Sequence, residues 1–293
     1  MPDPSTSRGA AGDASINTRA APPGEALVHD TTLPVLFRGV SWDDYEAMLR
    51  IRGERRFRIT YDRGLMEVIF PDRRARFSGV SWDDYEAMLR IAGDGPLRIV
   101  YDQGEMEVIM PSYRHEALTR LFQTLVTDLL RALRIPYKSG GSTTFCRQGL
   151  ARGLEPDNCY YLRDLDRLRI PPEPEAEAEP EPGPEAIAIP DLAIEVEVSR
   201  SALDTLAIYA TLAVSEVWRF DGQHLTVHRL RPDGTYEAAE ASALLPQVPT
   251  PALAVWLRRG LVLDEMTWGD QVLDWIRQGM PPLAEEADGA EQP

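Results

Sequence analysis

The segment Asp191-Leu-Ala-Ile-Glu-Val-Glu-Val198 alternates polar and apolar side chains. In a strand successive side chains point to opposite faces, so Asp191, Ala193, Glu195 and Glu197 share one face and Leu192, Ile194, Val196 and Val198 the other. Glu195 and Glu197 then form a carboxylate pair on one side, a pattern that also suits an edge strand with a solvated face. A further acid stands in Glu155-Pro-Asp157, just before the run Cys159-Tyr-Tyr-Leu162, and proline is tolerated where a strand begins. Alone, Asp157 reads equally as a turn aspartate. If the two strands are neighbours, it stands beside Glu195. Crowded carboxylates raise one another's pKa unless a cation sits between them. Oxygen ligands of this kind, with water completing the shell, suit Mg²⁺ (or Mn²⁺), which positions a water and stabilises charge on a phosphate.

These acids need elements to hold them. From Ser112 the apolar residues Leu118, Leu121, Phe122, Leu125, Val126, Leu129 and Leu133 recur at helical spacing, and Pro136 ends the pattern. Strands are expected around Tyr137–Phe145, Cys159–Leu162 and Leu192–Val198, with a helix over 202–213. Glu216–Phe220 and Leu225–Leu230 read as a hairpin around Asp221-Gly222. The C-terminal stretch with Trp256, Trp268 and Trp275 is expected to be helical, and its indoles to serve as core or subunit contact rather than as a stacking platform.

Upstream lies an internal repeat. Phe37–Pro71 and Phe77–Pro111 match at 25 of 35 positions. Each copy reads as a helix capped by Ser41 or Ser81, followed by two strands around Asp62-Arg-Gly64 or Asp102-Gln-Gly104. Two copies are too few for a solenoid, which needs at least about three units. One copy is read as the native element and the other as an attached extra.

The 293 residues carry 47 acids and 31 bases, a net charge of −16. Residues 1–30 contribute −2, residues 171–186 contribute −6 and residues 281–293 contribute −4, leaving −4 for the remainder. All three segments have the composition of unfolded chain, and Pro171–Pro184 reads as an acidic extended insertion. The charge therefore does not forbid a polyanionic partner. There is no run of about 18 apolar residues to span a membrane, and without a signal-like start the cytoplasm is the expected compartment. Two cysteines, Cys146 and Cys159, are too few for a disulfide framework or a four-thiolate zinc site. No phosphate-cradling glycine loop and no G-x-S-x-G elbow appears, which argues against an NTPase or a serine hydrolase. Lys138 is the only lysine, so chemistry that needs lysine must use it.

In order, Gly153-Leu-Glu-Pro-Asp157-Asn-Cys-Tyr-Tyr, Pro190-Asp-Leu-Ala-Ile-Glu195-Val-Glu197, Ser201-Ala-Leu-Asp204 with Ile208-Tyr-Ala, and Val214-Ser-Glu-Val-Trp-Arg219 resemble the Uma-two family, within the PD-(D/E)XK nuclease superfamily. The likeness spans roughly residues 79–278. It implies an α/β fold with a restriction-endonuclease-like core, a mixed central sheet flanked by helices, and metal-dependent hydrolysis of DNA phosphodiesters. Asp157 matches the aspartate of the PD motif and Glu195 the acid of the (D/E)XK motif, while Glu197 falls where that motif has lysine. Glu116 resembles the helix acid that often completes the metal site, and is otherwise a solvent-facing helix residue. His115 could contact a phosphate or simply pack or cap its helix. Basic residues expected after the Ser142–Phe145 strand and at the start of the 202–213 helix are replaced by Cys146 and Thr205. Lys138 is a catalytic candidate or a surface lysine at a strand start, and Arg147 could orient a phosphate but not accept a proton.

The expected layout is an unfolded 1–36, a duplicated helix-hairpin unit at 37–76, a nuclease-like domain at 77–280 interrupted at 171–186, and an acidic tail at 281–293. The expected function is a Mg²⁺-dependent endonuclease acting on DNA; the alternative is a catalytically silent module for binding or assembly. A homodimer is a further possibility, with the 37–71 unit adding strands to a partner's sheet edge.

Overall fold

The computed structural model describes residues 33–283 except 56, 71, 94, 96, 169–186 and 198–202. The acidic insertion expected at 171–186, the segment 1–32 and the tail from 284 lie outside the described residues.

Two copies of one strand–helix–hairpin unit come first. The first comprises β1 (Leu33–Arg38), α1 (Trp42–Arg52), β2 (Arg58–Asp62) and β3 (Leu65–Phe70); the second, β4 (Arg74–Ser78), α2 (Trp82–Ala92), β5 (Arg98–Asp102) and β6 (Glu105–Ile109). Ser41 and Ser81 accept the backbone N–H groups of Asp44 and Asp84, capping each helix as expected. Arg63-Gly64 and Gln103-Gly104 all have positive φ, the geometry a two-residue hairpin needs to match strand twist. The leading strands β1 and β4 were not anticipated. Residues 33–36 and 73–76 share no side chains, yet each strand forms the same antiparallel backbone ladder with the last strand of its hairpin.

The first copy closes as a three-stranded sheet, β1-β3-β2. The second is built into the rest: its sheet runs β4-β6-β5 and continues through β9 (Arg152–Leu154) and β8 (Phe145–Arg147). One apolar cluster joins the copies, with Met48, Met66 and Val68 from the first and Tyr85, Met88 and Met106 from the second. Ion pairs between α1 and α2 are reciprocal: Arg50 meets Asp84 at 2.7 Å, and Arg90 meets Asp44 at 2.8 Å.

The third sheet has the order β14-β13-β12-β11-β10-β7. It contains β7 (Lys138–Ser139), β10 (Asn158–Tyr161), β11 (Leu192–Val196), β12 (Glu216–Phe220), β13 (Leu225–Leu230) and β14 (Tyr236–Ala239). The β11 strand is central, antiparallel to β10 and parallel to β12, which removes the edge-strand reading of its acids. On one face Leu192, Ile194 and Val196 pack with α3 (Tyr113–Ala132), α5 (Thr250–Gly260) and α6 (Glu265–Arg277), where Trp256, Trp268 and Trp275 are core residues as expected. On the other, Ala193 packs with Ile208 and Tyr209 of α4 (Thr205–Leu212).

The stretch Tyr137–Phe145, read from sequence as one strand, divides between sheets. β7 pairs with β10, and β8 pairs with β9. Gly140 lies at the break, where a Cβ would come within 2.6 Å of Cys159 Sγ. A second close approach gives a direct test of packing. A Cβ on Gly153 would lie 2.1 Å from the Tyr85 hydroxyl, and Tyr85 is fixed by stacking on Tyr101 at 4.7 Å. Gly153→Ala is expected to cost about 1–3 kcal/mol through overpacking, measured as a lowered urea midpoint.

Candidate active site

Asp157 is locked to β11 at two points. Its backbone N–H donates to the Ile194 carbonyl at 3.1 Å, and its Oδ2 accepts the Val196 N–H at 2.7 Å. Asn158 pairs with Ile194, so the antiparallel register carried one residue further sets Asp157 against Glu195. Both acids line a cavity of about 130 Å³, together with Glu197, His115, Glu155 and the arginines 73, 74, 98 and 219.

Electrostatics follow from the crowding. Burial, and then the charge of Asp157, push Glu195 up to about 8, against the opposing Tyr209 hydrogen bond and Arg219. Tyr209 donates its hydroxyl to Glu195 Oε1. Glu155 is also raised, chiefly by burial, although its carboxylate accepts from the Thr144 hydroxyl at 2.9 Å. His115 places Nε2 3.1 Å from Asp157 Oδ1. Burial alone would lower its pKa, but the hydrogen bond and charge of Asp157, helped by Glu116, raise it. Glu197 faces Arg219 at 3.4 Å, and Arg219 also donates to the Thr205 hydroxyl at 2.7 Å.

Of the residues singled out from sequence, the fold brings together Asp157, Glu195, Glu197 and His115. Three others lie outside the cavity lining. Glu116 does not line the cavity; its carboxylate, 43% exposed, stands 3.6 Å from His115 Nδ1, because the first turn of α3 points it outward. Lys138 sits on the edge strand β7, and its ammonium donates to the carbonyls of Leu165, at 3.1 Å, and Leu168. Arg147 donates to the carbonyls of Cys146 at 2.7 Å and Ile187 at 3.3 Å. Both cations thus anchor backbone away from the acids. Asp191, on the same strand face as Glu195, is spent on the N–H groups of Leu162 and Arg163 and on the Arg163 guanidinium. Sequence reasoning missed Arg98, Glu155 and Arg219 as cavity residues, and Tyr209 as the hydrogen-bond partner of Glu195. Glu155 and Tyr209 were within the quoted motifs; Arg98 carried no local signal, because Arg58 holds the same place in the other repeat.

Among the described residues no three or more His, Cys, Asp and Glu side chains converge as a metal-binding set. The Asp157–Glu195 pair nonetheless fits a hard divalent cation: its donors are carboxylate oxygens, and Glu195 is raised first by burial and then by the charge of Asp157, a repulsion that a cation between them would relieve. Mg²⁺ commonly takes only one or two carboxylates and keeps waters elsewhere.

Residues 82–263 match the Uma2 family, described as "Putative restriction endonuclease". The matched span begins at Trp82, in the second copy of the repeat, and leaves the first outside. A solved structure from Anabaena variabilis ATCC 29413, described as "a putative nuclease belonging to DUF820", is similar with 19% identity, a TM-score of 0.39, and coverage of 60% of this chain and 97% of that one. No curated protein matches the chain.

Proposed function

Because the chain belongs to the Uma2 family, we propose that it is a metal-dependent endonuclease that hydrolyses DNA phosphodiester bonds at the Asp157–Glu195 cavity. The observation that carries this reading is the apposition of Asp157 and Glu195 in a cavity whose lining also includes four arginines, alongside Glu155, Glu197 and His115. Acids alone would repel a phosphodiester, and arginines alone would bind it without chemistry. Together they can hold an anion against a cation.

Asp157 and Glu195 would hold Mg²⁺ or Mn²⁺, which would supply charge stabilisation for the phosphate and a more acidic water. The chain's own groups set the geometry. The Val196 N–H and His115 fix the two oxygens of Asp157, Tyr209 orients Glu195, and Arg219 holds Glu197 beside them. The arginine side chains offer forked donors that match phosphate oxygens. No helix among the described residues is long and apolar enough to cross a membrane.

Supercoiled plasmid should be nicked or linearised in Mg²⁺ or Mn²⁺, and EDTA should abolish the activity. Calorimetry should show Mg²⁺ binding at millimolar concentration. A protein that neither cuts nor binds the metal is instead the silent binding module, a reading favoured by the absence of lysine from the cavity lining. Lys138→Met separates anchoring from chemistry: plasmid cleavage should be unchanged, whereas loss of the charged donor to two carbonyls should cost about 1–3 kcal/mol of stability, measured by urea unfolding. A cleavage defect without a stability defect would return Lys138 to the active site.

A further inference from the structure

We propose that Arg98 is the phosphate-binding cation of this cavity, serving where the lysine of the motif is missing; this rests on the nuclease reading above. Each of the other cavity arginines has a polar partner at hydrogen-bond or close ion-pair distance. Arg73 donates to the Pro111 carbonyl at 3.3 Å, Arg74 meets Glu107 at 3.0 Å, and Arg219 is shared by Thr205 and Glu197. Arg98 differs. Its Nε, like that of Arg219, is buried with no hydrogen-bond partner, but Arg219 has the Thr205 hydroxyl at 2.7 Å and Glu197 at 3.4 Å, whereas the nearest carboxylate oxygen to Arg98, Asp157 Oδ1, is 3.9 Å away. That distance is too long for a hydrogen bond, and a buried charged donor without an acceptor is costly in the free protein. An anion seated beside Asp157 would give it one.

The position is built rather than incidental. Arg98 opens β5, in register with Ile109, and only 19% of its side chain is exposed. Its counterpart Arg58 has the same register with Ile69 in the first copy but is exposed. The first copy therefore supplies a matched control at the same repeat position. Arg98 cannot act as a base, because guanidinium stays charged at working pH. Its role is to bind the phosphate, fix its orientation and offset developing charge.

Full-length Arg98→Ala, Arg98→Lys and Arg58→Ala decide the matter. Binding is read by fluorescence anisotropy with a short DNA duplex and Ca²⁺, cleavage with plasmid and Mg²⁺, and metal affinity by Mg²⁺ calorimetry. Arg98→Ala should weaken duplex binding at least about tenfold and reduce the log–log salt slope by about one. It should lower kcat/KM at least about a hundredfold, with Mg²⁺ affinity unchanged. Arg98→Lys, which keeps the charge but not the fork, should recover part of both losses and also answers the question if the alanine variant does not fold. Arg58→Ala should match wild type. The proposal is overturned if Arg98→Ala binds duplex like Arg58→Ala, if its Mg²⁺ affinity collapses as well, or if Arg98→Lys behaves no better than Arg98→Ala. Wild-type protein that binds duplex through Arg98 but cuts nothing would sink the nuclease reading alone. Cleavage that survives in Arg98→Ala would sink this inference alone.

Discussion

Asp157→Asn is expected to slow plasmid cleavage by about a thousandfold or more, the scale on which removing preorganised charge stabilisation is felt, while leaving the protein folded. Asparagine keeps a side-chain oxygen able to accept the Val196 N–H, so the link to β11 survives. What disappears is the negative charge that a cation would need. The substitution has a second readout that needs no substrate. Asp157 supplies the largest raising influence on His115, so the His115 titration followed by NMR should move down in Asp157→Asn. A variant that cuts at the wild-type rate places the site elsewhere. An unmoved His115 would mean that the 3.1 Å contact does not form in solution.

Glu195→Gln should also abolish cleavage, and its larger lesson concerns stability. Folding favours the protonated form of Glu195, whose value rises from 4.5 to about 8. That contribution is complete below the unfolded value and is lost as pH climbs through the folded one, a loss of roughly 5 kcal/mol between those limits for an uncoupled group. Glutamine carries no such penalty. In EDTA the variant should match wild type near pH 5 and exceed it by a few kcal/mol near pH 8.5, read as urea midpoints. Adding Mg²⁺ at pH 8.5 should stabilise wild type by mass action and do little for Glu195→Gln. A stability difference that is the same at both pH values would show that Glu195 is not the strained acid.

The parts of the site legible in sequence were those fixed by local periodicity. The alternation along β11 put Glu195 and Glu197 on one face, and the two motif acids then needed only adjacent strands to meet. The Asp221-Gly222 hairpin was legible for the same reason, as was the start of α3 at Ser112. What escaped depends on which distant segments the sheets bring together. Arg98 enters from β5, in a different sheet from the acids, and no spacing relates it to Asp157. Lys138 looked available because its strand order was unknown; once β7 lies at the sheet edge, two carbonyls claim its charge. The split of Tyr137–Phe145 has a steric origin at Gly140, where the chain passes too close to Cys159 for any side chain. The leading strands of the repeat were hidden because a ladder needs backbone groups and not matching residues.

The reciprocal bridges between α1 and α2 give the seam a fail-safe character. Each bridge takes one partner from each copy, Arg50 with Asp84 and Arg90 with Asp44, so losing any one of the four residues breaks one bridge and spares the other. Each is worth no more than about 1 kcal/mol at this exposure, so one failure is small against the apolar contact beneath. All ten differences between the copies fall outside Gly39–Ile51 and Gly79–Ile91, the stretches that carry these four charges. The duplicated unit is thereby free to drift in its hairpin while its attachment to the rest of the chain is secured twice.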